Sequence, residues 1–326
     1  MIWGLKQRTA SPKKSDKGIK GLPAETPEER RQEKIIECVP NFSVGHDRTV
    51  IHKIKDSIKT SGVDVIDQSY DEDHNRLVVT FIGTPDNVLN AAYCSIDTAS
   101  KLIDINKQVG VHPFIGVVDV VPFIPLKDAK MGDCRDMAKK LGKMVANQLK
   151  IPVFLYGEAA RNEKFKHLYN IRHGGLEHLR SAISGKDFRP DFGEPMVHPT
   201  AGAVAIGARD FLIAFNVNLD TEDLQIAKDI ARKIREKDGG LPGIRALGVP
   251  LHSKGIVQVT INVTHYKKTS LKALMDRVKK EAAAMGISIL NSEIVGLVPR
   301  DATYPGMKED LMLDDYDEGK ILETYL

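Results

Sequence analysis

The chain has 326 residues, 42% hydrophobic and 28% charged, the make-up of a globular protein with room for two ordinary domains. No apolar run approaches the length of a membrane span, and the first residues carry no apolar core of signal-peptide length, so a cytoplasmic protein with no membrane partner is expected. The net charge of +3 is unevenly placed: residues 1–34 hold nine basic and five acidic side chains, the remainder 38 and 39, so no basic folded body points to nucleic acid as a partner.

Residues 1–34 read as a basic, disordered extension rich in Lys, Gly, Ser and Pro. Cys38, Cys94 and Cys134 lie far apart, which argues against a zinc ribbon or disulfide framework and fits a reducing compartment. Residues 35–39 then read as a first strand, running into the polar turn 40–45. A helix follows with Val50, Ile51, Ile54 and Ile58 on one face, capped by Ser43 or Asp47. Residues 63–67 form a second strand and 71–76 a charged loop. In the third strand Leu77, Val79 and Phe81 alternate with Val78 and Thr80. Pro85 opens a long helix that buries Val88, Leu89, Ala92, Ile96, Ala99, Leu102 and Ile103.

The stretch 110–125 is the most distinctive. His112 sits in a tight turn between Gly110, Pro113 and Gly116, and an apolar run interrupted only by Asp119 follows. The run reads as a buried strand whose pairing Pro122 and Pro125 should end. A histidine at the mouth of such a strand is either structural, bonded to a loop carbonyl, or a fixed acid or base. The order so far is βαββαβ, the ferredoxin-like pattern.

A helix over 132–149 and a short strand over 151–155 come next. Residues 157–209 are irregular and rich in Gly, Pro, His and Arg, which marks a functional loop or a linker. The pattern then repeats: a strand at 211–219, a helix carrying Ile226, Ala227, Ile230, Ala231 and Ile234, strands at 244–251 and 256–264, a helix carrying Leu271, Leu274, Met275, Val278 and Ala282, and a strand at 287–298 broken near Asn291. The expected fold is α+β: two ferredoxin-like subdomains, 35–209 and 210–326, facing each other across a ligand cleft, or with one bare sheet face forming a dimer. On the second sheet Asn216 and Asn218 share one face, as do Gln258, Thr260, Asn262 and Thr264. These residues form either a wet outer face or a groove lined with amides, and they are not expected all to face bulk solvent.

Three constellations carry chemistry: His112, the loop 73–76 with His74, Asn75 and Arg76, and the stretch 191–202 with His198 among glycines and prolines. The three histidines lack the spacing of common zinc sites. No Walker loop, no Gly-x-Ser-x-Gly and no strand-linked Gly-x-Gly-x-x-Gly is present.

Several blocks occur in the order of a known family. They are Glu37-Cys38-Val39-Pro40-Asn41-Phe42-Ser43, His74-Asn75-Arg76, the stretch from His112-Pro113 to Pro125, Leu155-Tyr156-Gly157-Glu158-Ala159-Ala160-Arg161, Pro190-Asp191-Phe192-Gly193, Gly207-Ala208-Arg209, the run 211–219 and the run 293–299. From about residue 35 to 300 the chain resembles the glutamate formimidoyltransferases, the formiminotransferase domain of formimidoyltransferase-cyclodeaminase, in a stand-alone form. The resemblance implies two ferredoxin-like subdomains, a homodimer, and transfer of a formimino group from N-formimino-glutamate to N5 of tetrahydrofolate, in histidine breakdown. Tetrahydrofolate would be a co-substrate and no tightly bound cofactor or metal is expected. The family's catalytic histidine falls on His112. Its folate loop falls on Gly193, Glu194, Pro195, Met196, Val197, His198, Pro199, Thr200, Ala201 and Gly202. Asn41, His74, Asn75, Arg76, Asn216 and Asn218 are the candidate substrate-binding residues. Two positions depart from many or some relatives: Phe114 stands where many have arginine, and Ser69 near where some have aspartate. A folate-binding relative without catalysis is therefore the first alternative, and a metal-dependent amidine hydrolase using His74, His112 and His198 the second.

Overall fold

The computed structural model describes residues 33–326, so all but the end of the basic extension lies outside the described residues. In the first half β1 (Ile36–Cys38), β2 (Asn41–Phe42), α1 (Arg48–Lys59), β3 (Asp64–Asp71), β4 (Arg76–Gly83), α2 (Pro85–Leu102), β5 (Val118–Pro125) and α3 (Met131–Met144) follow in turn. Asp47 caps α1 by accepting a hydrogen bond from the Val50 amide, and Pro85 opens α2 at a position that needs no donor. Ile51, Ile54 and Ile58 of α1, with Val88, Ala92, Ile96 and Ala99 of α2, are buried against one face of the sheet.

The expected first strand is two short ones. β1 and β2 both pair antiparallel with β4 and β5, and Val39-Pro40 interrupts them. This break explains why Pro122 does not end the pairing of β5, contrary to the sequence expectation. Cys38 pairs with Phe123 and Asn41 with Val120, so Pro122 lies opposite the gap between β1 and β2. A residue without an N–H fits there, and the strand continues to Pro125. One residue advanced on β2, from Asn41 to Phe42, matches two on β5, from Val120 to Val118. Asp119 is therefore the extra residue of a β-bulge, which re-aims its side chain.

The region 157–209 is more regular than its composition suggests. After β6 (Val153–Gly157) it holds the short helices α4 (Leu168–Arg172) and α5 (Gly175–Ala182) and the strand β7 (Val204–Ala208). β7 inserts between β5 and β6, parallel to both, and extends the first sheet to the order β3-β4-β1/β2-β5-β7-β6.

The second half holds β8 (Ile213–Leu219), α6 (Leu224–Ile234), β9 (Ile244–Leu251), β10 (Ile256–Val263), α7 (Leu271–Ala283) and β11 (Ile289–Val295). Its sheet is antiparallel in the order β11-β8-β10-β9, the ferredoxin-like order seen also in β3-β4-β1/β2-β5. A register shift falls between Ile289 and Asn291, where the sequence placed a break. Each half has its own apolar core between sheet and helices. Polar contacts join the two halves: the Asp73 carboxylate accepts from the amide and hydroxyl of Ser253, and Lys320 Nζ lies 3.0 Å from Asp67 Oδ1. Among the described residues no helix is long and apolar enough to cross a membrane.

Candidate active site

β4 begins at Arg76 and β5 just after the turn that carries His112, so the two side chains meet at one end of the first sheet. Arg76 Nη1 is 2.8 Å from His112 Nδ1, and the Pro113 carbonyl is also 2.8 Å from that nitrogen. Arginine only donates and a carbonyl only accepts, so Nδ1 serves one of them at a time. With the proton on Nδ1 and donated to Pro113, Nε2 carries the lone pair of a base. Arg76 has other partners: its Nε donates to Asn41 Oδ1 at 2.8 Å and its Nη1 lies 3.3 Å from Asp119 Oδ2.

Asp119 is 1% exposed, and the bulge turns it to this side. Its Oδ1 accepts from the Ile115 amide at 3.1 Å, and Oδ2 also contacts Arg172 from the end of α4. Arg172 Nε is buried and has no hydrogen-bond partner among the described residues. Two guanidiniums thus flank one carboxylate beside the histidine. Burial, followed by the charges of Arg76 and Arg172, holds the His112 imidazole well below its usual range, so it is neutral at pH 7. Burial and Arg172 also lower Arg76 to about 10, against the opposing pull of Asp119.

His74 lies next to this cluster, its ring centroid 6.2 Å from that of His112. Gly110 makes the approach possible. A Cβ on it would stand 2.5 Å from the His74 carbonyl oxygen, where no side chain fits. From the second sheet Gln258 Oε1 comes within 3.3 Å of His74 Nε2. Gln258 Nε2 donates to Asn218 Oδ1 at 3.0 Å and to Glu293 Oε1 at 3.2 Å, and Asn216 donates to the same Glu293 oxygen. Asn216, Asn218 and Gln258 are buried, Thr260 is half-buried and Asn262 is exposed. The amide face of the second sheet is therefore largely a buried layer against the first half.

The other expected site residues divide. Asn75, in a left-handed conformation, has both ends of its amide tied up: Oδ1 accepts from the Gly45 amide and Nδ2 donates to Gln108. It joins loops and presents no free group to a ligand. In the stretch 193–202, His198 and Gly202 exchange backbone hydrogen bonds, and His198 Nδ1 accepts from the amides of Thr200 and Ala201. Ala201 and Ala203 bond back to Val117 and Ile115, which stitches this loop to the turn after His112. Pro195 to Pro199, with Arg180, Ile183 and Ser184, line an open cavity of about 350 Å³, and Met196 is largely exposed there. Among the described residues no three His, Cys, Asp or Glu side chains converge as a metal site needs, and His198 does not join His74 and His112.

This arrangement lies within the span of two family models. Residues 35–209 match the formiminotransferase domain, N-terminal subdomain, and residues 214–308 the formiminotransferase domain. The chain belongs to the formiminotransferase family. It is 44% identical over 292 residues to a glutamate formimidoyltransferase of Thermoplasma acidophilum, covering 89% of this chain and 96% of the relative. It is 38% identical over 295 residues to a glutamate formimidoyltransferase of Streptococcus pyogenes serotype M1, covering 90% and 99%. A formimidoyltransferase-cyclodeaminase of Rattus norvegicus is 38% identical over 275 residues, and this chain spans about half of it, 51%.

In this formiminotransferase, Phe114 is half-buried against the first core and offers no charge. The charges near His112 come instead from Arg76 and Arg172. Ser69 pairs with Val78 on β3. Sequence reasoning missed three members of the site. Asp119 had a signal, as the lone charge in an apolar run. Gln258 had the amide stripe. Arg172 had none, because its place depends on where the short helix α4 packs.

Proposed function

We propose that this protein transfers the formimino group of N-formimino-L-glutamate to N5 of tetrahydrofolate, yielding 5-formiminotetrahydrofolate and glutamate, with His112 as the acid–base group. The observation that carries the reading is a neutral histidine held between a carbonyl and an arginine. N5 attacks the amidine carbon and must lose a proton; the departing glutamate nitrogen must gain one. His112 Nε2 takes the first proton and returns it to the leaving nitrogen, so the protons balance. Such help is worth about 10²–10⁴-fold. Arg172, whose Nε has no partner among the described residues, and Arg76 are the groups for a substrate carboxylate. Residues 193–202, beside the cavity of about 350 Å³, form the folate loop. Asn41 orients Arg76. The working unit is the pair 35–209 and 210–326, following a basic extension, as a cytoplasmic homodimer with tetrahydrofolate as co-substrate and no tightly bound cofactor.

His112→Ala tests this directly. Steady-state assays with both substrates are expected to show turnover lower by about 10²-fold or more, while titration shows tetrahydrofolate still bound. Near-normal turnover would refute the role of His112, and binding of folate by the unaltered protein without any transfer would refute the reaction.

A further inference from the structure

The chain of amides on the second sheet ends in carboxylates, and carboxylates only accept hydrogen bonds. This fixes the direction of every link. Asn291 donates to Asp314, so its Oδ1 is left to accept from Asn218 Nδ2. Asn218 Oδ1 is then the acceptor for Gln258 Nε2, and Glu293 Oε1 is a second acceptor for the same group. Gln258 Oε1 must therefore face His74, and it can only accept. His74 Nε2 consequently carries the proton, and in the neutral ring the lone pair is on Nδ1. Gln258 is 2% exposed and His74 8%, so water does not compete for these groups. Donating to a carboxylate and an amide oxygen also polarises the Gln258 carbonyl toward His74.

We propose that Gln258 is a positioning residue that works from the second sheet: it locks His74 as the Nε2–H tautomer and so aligns a second proton acceptor, His74 Nδ1, beside His112. The proposal deepens the transfer reaction and rests on it. That reaction moves one proton off N5 and one onto the leaving nitrogen. Two adjacent imidazoles divide the work: His74 Nδ1 accepts hydrogen bonds from the amine or amidine N–H while His112 Nε2 moves the proton. The His74 backbone is pinned as well, since its amide donates to Asp71 Oδ1 at 2.8 Å and Ser253 holds the neighbouring Asp73. Ring orientation thus depends on Gln258 more than on the loop.

The test is nitrogen-15 NMR of histidine-labelled full-length protein at neutral pH, with His74 assigned by loss of its signals in His74→Gln, together with kcat and KM for N-formimino-glutamate and tetrahydrofolate. The unaltered protein is expected to show His74 protonated on Nε2. Gln258→Leu removes the acceptor. It is expected to mix the two His74 tautomers and lower kcat roughly 10-fold to 100-fold, the loss typical when an orienting partner is removed, with KM changed by less than about two-fold. Gln258→Glu combined with Glu293→Gln keeps an acceptor for His74 and a donor–acceptor pair between positions 258 and 293, and is expected to restore the Nε2–H tautomer and most of kcat. Should the leucine variant fail to fold, Glu293→Gln, on the exposed rim, weakens the anchor and is expected to give partial tautomer mixing with a smaller fall in kcat. A proton on His74 Nδ1 in the unaltered protein overturns the proposal, as do equal losses in the leucine variant and the double variant or a loss confined to KM. Absence of transfer by the unaltered protein refutes the reaction instead, and the tautomer reading is independent of it.

Discussion

His112 is controlled by the cations around it. Burial and two guanidiniums disfavour the imidazolium, so its proton leaves well below the ordinary value of 6.5. The acid limb of kcat/KM against pH is therefore expected below that value. Arg76→Leu removes the nearer cation, so the His112 pKa rises and the limb moves to higher pH; a limb that stays put or moves down would contradict this electrostatic account. A second buried group acts on stability. Glu37 shares its sheet face with Arg76, but it lies opposite Ile82, six residues further along β4, or about 20 Å away. Burial raises its carboxyl to about 7 from 4.5, with Arg209 opposing. Between those values the folded chain holds a proton that the unfolded chain has lost, so stability falls as pH rises through that window. Glu37→Gln abolishes the penalty. Denaturant titrations are expected to show it gaining on the unaltered protein between about pH 5 and about pH 8, by up to about 3 kcal/mol.

At the level of elements, helices were legible because their signals are local. The apolar spacing in α1, its Asp47 cap and Pro85 at the start of α2 each act within a turn or two. Strand pairing was less legible, because it depends on what lies opposite. Pro122 looks like a terminator until its neighbour proves to be the gap between β1 and β2. β7 went unread because its five residues are buried between two parallel strands and show no alternation. The turn holding His112 was legible from its glycines and proline, and its tight contact with the β3–β4 turn gives a test. Gly110→Ala would drive a Cβ into the His74 carbonyl, a backbone atom that cannot swing aside. It is expected to cost on the order of 1–3 kcal/mol of stability, and to lower turnover up to about 10²-fold by separating Arg76 and His74 from His112. Unfolding midpoints and kcat on the same preparation check both.

Across the whole molecule, residues 34–326 behave as one compact unit despite two apolar cores. The join is polar: His74 to Gln258 is buried, Asp67 to Lys320 half-buried and Asp73 to Ser253 exposed. Separating the halves would leave Gln258 and Asn218 facing water from a layer built to be closed, so neither half should melt alone. Calorimetry is expected to give a single transition with matching calorimetric and van't Hoff enthalpies; two resolved transitions would show the halves to be independent. By itself the sequence determined the doubled βαββαβ order, the stiff turn around His112 and the family, because each rests on local spacing or on ordered blocks of residues. Only the tertiary structure decided that Asp119 turns toward Arg76, that Arg172 arrives from α4, and that Gln258 reaches His74. Those contacts join residues far apart in the chain, and their geometry is set by a bulge, the packing of a short helix and the contact between the two halves, which no local pattern records.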